Sequence, residues 1–285
     1  MTTENNKRTI LCRGRVITFE EPRIAGILNI TPDSFYDGGK YNNLNDIEKA
    51  VEEMLSGGAT WIDTGAVSTR PRSESTDYKT ELQRLEPVLR LISHKFPEAL
   101  VSVDTFRADI ARMAVEKYGT CMINDVSAGE MDSEMIKTAG QLKVPYIAMH
   151  MRETPATMQS EENTVYHDII NEIVQYLSLK KKQLYENGVS DIVVDPGFGF
   201  SKTIAQNFTL LKDLRKFSIL DCPVMVGISR KSMIYKTLHC TADDALTGTL
   251  AAHLLALVNG ADILRVHDVK ETSEVIKIFK QYSMS

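Results

Sequence analysis

Short apolar runs alternate with amphipathic stretches along this chain, and each run gives way to polar or glycine-rich residues. The runs end at Ile24-Ala-Gly-Ile-Leu-Asn29, Asp63-Thr-Gly-Ala-Val-Ser-Thr-Arg70, Val103-Asp104, Asn124-Asp125, Met149-His150, Asp195-Pro-Gly-Phe-Gly-Phe200, Ser229-Arg230-Lys231 and Arg265-Val-His267. Continuous apolar character marks strands buried on both faces, as in a parallel sheet. Between the runs, apolar residues recur at three- and four-residue spacing over Ile47 to Leu55, Leu82 to Ile92, Ile169 to Leu184, Ala245 to Val258 and Val275 to Phe279, the signature of amphipathic helices. Eight strand–helix units predict an α/β fold, a (β/α)8 TIM barrel over about residues 24–281. An N-terminal β-hairpin over about residues 9–19, turning at Gly14, is expected to close the barrel floor.

The 285 residues suit one such barrel, which takes about 250, so residues 1–285 are read as a single domain. No apolar run approaches the roughly 18 residues a membrane helix needs. The first residues, Met-Thr-Thr-Glu-Asn-Asn-Lys-Arg, contain no signal-peptide core, and a cytoplasmic location is expected. A net charge of −5 argues against nucleic acid as a partner, because phosphate-backbone binders need a broad basic surface. An anionic ligand must then be held by local charge. Lys180-Lys-Lys182 is the one basic run and is expected to be solvated helix surface. Cys12, Cys121, Cys222 and Cys240 show no paired spacing and are read as structural thiols.

In a barrel of this kind the carboxyl ends of the strands form one mouth. There stand Asp104, Asn124 and Asp195, short polar groups that must find partners if buried. A flat heterocycle rich in N–H donors would satisfy them, and so would a network internal to the barrel. Cations gather after the last two strands, Arg230 and Lys231 on one, Arg265 with His267 on the other. That is the usual phosphate-binding region of the fold. Lys231 is followed by Ser232-Met-Ile-Tyr-Lys-Thr, a short helix whose N-terminal N–H groups would favour an anion. Lys231 and Arg265 could equally pair with Asp195 and Asp104.

In this setting the chain closely resembles the dihydropteroate synthase family, from about Ile24 to Phe279. The carriers are Gly26-Ile-Leu-Asn-Ile-Thr-Pro-Asp-Ser-Phe35, Ser68-Thr-Arg-Pro71, Ser102-Val-Asp-Thr105, Ile123-Asn-Asp125, Met149-His-Met151, Asp195-Pro-Gly-Phe-Gly-Phe200, Gly227-Ile-Ser-Arg-Lys-Ser232 and Leu264-Arg-Val-His267, in unbroken order. The resemblance implies a transferase of folate biosynthesis. It would condense 6-hydroxymethyl-7,8-dihydropterin pyrophosphate with p-aminobenzoate, with Mg²⁺ assistance, to give 7,8-dihydropteroate and pyrophosphate. It also implies an SN1-like course, with pyrophosphate departing before the amine attacks, and sulfonamides as inhibitors.

By the same resemblance the pterin sits against Asp104, Asn124, Asp195, Lys231 and Arg265. Asn29, Thr69, Arg70, Arg265 and His267 hold pyrophosphate, and Asn29 also reaches Mg²⁺. The p-aminobenzoate pocket comprises Phe35, Thr69, Pro71, Phe200, Lys231 and Ser232, with a core role as the other reading of Phe200. Asp37, Arg70 and Lys231 are the catalytic residues, Asp37 facing the developing cation. The second loop departs from the family pattern, Gly-Gly-Glu-Ser-Thr-Arg-Pro-Gly, in reading Gly65-Ala-Val-Ser-Thr-Arg-Pro-Arg72. Val67 stands for an acid and Arg72 for a glycine, which changes the loop's charge and backbone freedom and bears on its tolerance of sulfonamides. Arg72 is expected to point to solvent. Two other readings keep the pterin contacts: a non-catalytic pterin- or folate-binding module, and a methyltetrahydrofolate-dependent methyltransferase. Neither accounts for Asn29, Arg70, Lys231, Arg265 and His267 together. The family forms homodimers, and Leu246, Leu250, Leu254, Leu257, Val275, Ile276 and Phe279 on the last two helices could supply the face or pack on the barrel.

Overall fold

The computed structural model describes residues 8–30, 44–67, 76–154, 158, 160 and 162–284. The chain opens on an antiparallel hairpin, β1 (Thr9–Cys12) and β2 (Arg15–Thr18). Arg13 and Gly14 turn it with φ of 49° and 74°, the two left-handed residues whose twist matches a two-residue hairpin.

Among the described residues, eight parallel strands follow: β3 (Arg23–Asn29), β4 (Trp61–Gly65), β5 (Val101–Asp104), β6 (Met122–Asp125), β7 (Tyr146–Met149), β8 (Ile192–Asp195), β9 (Met225–Val226) and β10 (Ile263–Val266). They pair in the order β8-β7-β6-β5-β4-β3-β10-β9. A parallel bridge between Val194 and Val224 joins the two ends, so the sheet closes into the expected barrel. Around it run α1 (Leu44–Gly57), α2 (Tyr78–Lys95), α3 (Ala108–Tyr118), α4 (Met135–Leu142), α5 (Ile169–Glu186), α6 (Ile204–Lys212), the short α7 (Ser232–Tyr235), α8 (Leu246–Val258) and α9 (Val269–Met284). Asp77, Asp168 and Thr203 cap α2, α5 and α6 by accepting from backbone N–H groups in the first turn, which satisfies donors that a helix start leaves unpaired.

Strand periodicity sorts the barrel into layers. Ile62, Val103, Ile123, Ala148, Val194, Val226 and Leu264 belong to one buried cluster with the helix residues Val51, Leu85, Ile110, Leu177 and Ala256. Their neighbours Ala25, Trp61, Met122, Ile147, Val193, Met225 and Ile263 form a second cluster with Ile10, Cys12 and Ile17 of the hairpin. The hairpin is therefore the apolar plug of the barrel floor. Two residues further along β4, β6, β8 and β10, the same inward face carries Asp63, Asn124, Asp195 and Arg265. The lumen thus changes from apolar to charged within one repeat.

Cys12, Cys121 and Cys222 are buried free thiols and Cys240 is half-buried and free, as expected. The basic run departs from expectation. Lys180 is buried, with its ammonium 2.5 Å from Glu130 and 5.7 Å from the Tyr176 ring centroid. Lys181 donates to the Leu220 carbonyl at 2.6 Å, and only Lys182 is fully at the surface, 73% exposed. Long aliphatic stems let such residues lie along an apolar face while the charge finds a partner. No helix among the described residues is long and apolar enough to cross a membrane.

Candidate active site

Arg265 stands on β10 between two carboxylates. Its Nε donates to Asp63 at 2.6 Å and its Nη2 to Asp104 at 2.6 Å. Asp63 also accepts from the Ser102 hydroxyl on one oxygen and from Asn124 Nδ2, at 3.1 Å, on the other. Four strands, β4, β5, β6 and β10, thus converge on one carboxylate. Burial works against the Arg265 charge, but Asp63 and Asp104 outweigh it and hold its pKa above the ordinary value. Asp104 is pushed up by burial, with Arg265 opposing and the negative charge of Asp63 adding to the rise. The expected Arg265–Asp104 pair is present, and Asp63 is the partner that sequence reading missed. Asp63 opens a polar segment and so reads as a loop residue; its place two residues after Trp61, on the inward face, was the available signal.

The network also fixes an amide. Asn124 spends its NH₂ group on Asp63, which leaves its carbonyl oxygen as the group that can accept at the lumen. Asp195, 4% exposed at the end of β8, accepts from the Gly197 N–H at 2.7 Å. Burial raises its pKa, with Lys231 opposing. Lys231 does not close on Asp195 as one reading of the sequence had it. It donates to the Phe198 carbonyl and lies 4.6 Å from the Phe200 ring centroid. Desolvation lowers its pKa to about 8, with the attraction of Asp195 opposing the fall.

Around this centre the rim is mixed. Asn29 is exposed at the mouth end of β3. His267 is exposed just past β10, with Nδ1 3.0 Å from the Ser229 hydroxyl. Ser232 begins α7, half-buried beside Lys231. Phe200 is 9% exposed and packs with Val126, Met149, Met151 and Met158 in an apolar cluster, so it lines a shelf rather than standing free in a pocket. Arg230, counted with the mouth cations from sequence, is turned elsewhere: it grips Asp268 at 2.9 and 2.7 Å and the Asp243 carbonyl at 3.0 Å. Phe35, Asp37, Thr69, Arg70, Pro71 and Arg72 lie outside the described residues.

The stems of the second loop are nevertheless anchored. Arg84 of α2 donates to the Ala66 carbonyl at 3.2 Å. Arg107 donates to the Thr76 carbonyl and pairs with the fully buried Glu81, which also accepts from Thr105 at 2.6 Å. Thr105 directly follows Asp104, so the loop's far stem and the charged lumen share one support. A second buried pair, Lys202 and His150, lies behind the residue 197–200 loop; it too escaped sequence reading, because nothing in the spacing brings the two together. Among the described residues no group of three His, Cys, Asp or Glu side chains is arranged to hold a metal ion.

Residues 25–267 match the family model described as pterin binding enzyme. The chain is 38% identical over 271 residues to the dihydropteroate synthase of Escherichia coli K12, covering 94% of both chains. It is 41% identical over 258 residues to the dihydropteroate synthase of the cyanobacterium Synechocystis, covering 90% of this chain and 88% of that one. Among solved structures, the Yersinia pestis dihydropteroate synthase in complex with a sulfonamide drug superposes with a TM-score of 0.91 at 34% identity, over 97% of this chain and 100% of that one. The Thermus thermophilus enzyme in complex with 4-aminobenzoate gives 0.85 at 35% identity, over 96% and 99%. By the extent of these matches and by its barrel, the chain belongs to the dihydropteroate synthase family of pterin-binding enzymes.

Proposed function

We propose that this chain condenses 6-hydroxymethyl-7,8-dihydropterin pyrophosphate with p-aminobenzoate in folate biosynthesis, giving 7,8-dihydropteroate and pyrophosphate. The observation that carries this reading is the set of buried Asn124 and Asp195 with half-buried Asp104, Lys231 and Arg265 at the end of the lumen, which suits one edge and one face of a pterin. Asp195 accepts from the ring N–H and amino group, the Asn124 carbonyl oxygen accepts beside it, and Lys231 donates to the pterin carbonyl. Arg265, held in plane by Asp63 and Asp104, offers its face to the ring.

The pyrophosphate leaves with the electron pair of the methylene carbon–oxygen bond. The arylamine nitrogen then attacks that carbon and gives up its proton. Since an aromatic amine is competent toward such a cation, the residues act by electrostatics rather than as strong bases. Asn29, Thr69, Arg70, Arg265 and His267 hold the leaving group, Asp37 faces the developing positive charge, and Lys231 is the cation that both substrates share. Phe35, Thr69, Pro71, Phe200 and Ser232 complete the p-aminobenzoate side. Mg²⁺, when bound, neutralises phosphate charge; Asn29 fits it as a single protein oxygen, because this ion usually keeps waters and substrate phosphates as its other ligands. The four free cysteines suit a reducing cytoplasm.

We also infer a homodimer. Leu255 on α8 and Ile278 on α9 are 50% and 65% exposed, and Leu250 and Leu254 are only half covered, apolar positions on the last two helices that a second copy would cover. Light scattering should then give about twice the 31.9 kDa chain mass; a monomer at micromolar concentration would contradict the assignment.

Pure protein given the pterin pyrophosphate, p-aminobenzoate and Mg²⁺ should release dihydropteroate and pyrophosphate in equal amounts, and Arg70→Ala should abolish both. Pterin binding with neither product would point instead to a binding module. With Lys231 as the donor, kcat/KM for the pterin substrate should fall about tenfold per pH unit above about 8, as the ammonium is lost. A flat profile from pH 7.5 to 10 would remove Lys231 from that role. Asp63→Asn replaces one of the two accepting oxygens by an NH₂ group, so the donors served by that oxygen lose their acceptor, and it leaves Arg265 short of an anion. It should lower stability by about 3–5 kcal/mol and weaken pterin binding at temperatures where the variant is still folded; unchanged urea midpoint and affinity would rule this out.

A further inference from the structure

Behind the loop that carries Asp195 sits a buried cation that the proposed chemistry does not use. Lys202 is 3% exposed. Its ammonium lies 2.9 Å from the Gly197 carbonyl, 2.9 Å from the Phe200 carbonyl and 3.1 Å from His150 Nδ1. Three N–H donors meet three acceptors, so the group is saturated and has none left for a ligand. An ammonium removed from water is heavily penalised, and a methionine would fill the same volume. What the charge holds in place is therefore the question.

It braces from behind a loop that is also pinned by the Phe200 N–H donating to the Gly197 carbonyl at 3.2 Å and by the Gly199 N–H donating to Asn207 Oδ1 at 2.7 Å. Gly197, Gly199 and Ser201 all adopt left-handed φ, at 74°, 81° and 53°. A Cβ on Gly197 would lie 1.9 Å from the His150 carbonyl oxygen, so no other residue fits there. This winding turns the Gly197 and Phe200 carbonyls toward one point, where their dipoles repel unless a cation stands between them. Lys202 in its ammonium form is that cation; burial pulls its pKa well below the ordinary value, with the attraction of Asp195 opposing the fall. From the opposite side the same residues make the pocket: the Gly197 N–H fixes the Asp195 carboxylate, the Phe198 carbonyl receives Lys231, and the Phe200 ring lies under the Lys231 ammonium.

His150 completes the device. Its ring is walled edge-on by Tyr176, with centroids 5.0 Å apart, and by Tyr166 at 6.2 Å. Burial and the neighbouring Lys202 charge keep its pKa well below the ordinary value, so the ring is neutral, and with its proton on Nε2 it offers the Nδ1 lone pair to the ammonium 3.1 Å away. His150 belongs to the Met149-His-Met151 motif, to which sequence reading gave no role.

We propose that Lys202, oriented by His150, is a positioning residue that fixes the residue 197–200 loop from behind and so sets where Asp195 and Lys231 meet the pterin ring. The inference rests on the assignment of those two residues to the pterin. Lys202→Met removes the three donors and keeps the stem. Calorimetric titration with dihydropterin pyrophosphate, well below each variant's melting temperature, should show roughly 10- to 100-fold weaker binding. His150→Asn, which retains an acceptor near Nδ1, should bind close to wild type, while His150→Leu should lose affinity as Lys202→Met does. The double variant Lys202→Met/His150→Leu should add little to Lys202→Met, since that change already removes the one contact His150→Leu breaks. Lys202→Met binding within threefold of wild type would overturn the inference alone. If Lys202→Met does not fold, equal affinities for His150→Asn and His150→Leu would overturn it. Failure of the wild-type protein to bind the pterin would overturn the pocket assignment and this inference with it.

Discussion

The charged lumen is the constraint on which the rest of the molecule depends. Asp63 and Asp195, both buried, and Asp104, half-buried, are brought together inside a closed sheet, where water screens them poorly. Two cations, Arg265 and Lys231, face them. Uncompensated, such carboxylates would take up protons rather than stay ionised. Arg265 bridges two of them directly, and Asp195 relies on a backbone N–H and on Lys231 nearby. Everything around this cluster serves to hold its geometry.

The fold meets that requirement by stacking layers. The apolar floor, plugged by the N-terminal hairpin, excludes water from below. The outward strand residues bind the helices and make the strands rigid. The loops at the mouth are then tied back to fixed elements, through Arg84 and Arg107 beside the second strand–helix connection and through Lys202 behind the sixth. Arg230, which sequence alone would give to a ligand, belongs to this bracing, since its guanidinium joins the start of α7 to the start of α9 through Asp268.

A site built this way has its polar groups fixed by one another, as the proposed binding of a flat, donor-rich heterocycle requires. Asn124 has its amide turned by Asp63, Arg265 has its plane set by two carboxylates, and Lys231 rests on a backbone carbonyl that a stronger acceptor can replace. Contacts made within the lumen can be exchanged for contacts to a ligand with little movement of the backbone. Such an arrangement binds through acceptors and charges already in position, so less ordering remains to be done when substrate arrives.

The strand ends of this barrel, its hairpin and most of its helices were legible in the chain because each rests on local rules: a buried strand needs an unbroken apolar run, a helix needs three- and four-residue spacing, and a hairpin needs a left-handed turn. The places of Asp104, Asn124 and Asp195 at strand ends were legible for the same reason, since a polar residue that ends a parallel strand lies at the mouth, whereas the roles proposed for them and for Lys231 and Arg265 rest on the family resemblance. What the chain could not reveal is which of these side chains touch. Asp63 with Arg265, 202 residues apart, Lys202 with His150, 52 apart, and the burial of Lys180 against Glu130 each depend on closure of the sheet and on loop winding. The sequence by itself determined the kinds of element, their order and the polarity at their ends. The tertiary structure decided the pairing of charges, because the energy of an ion pair depends on distance and burial, and neither is set until the barrel has closed.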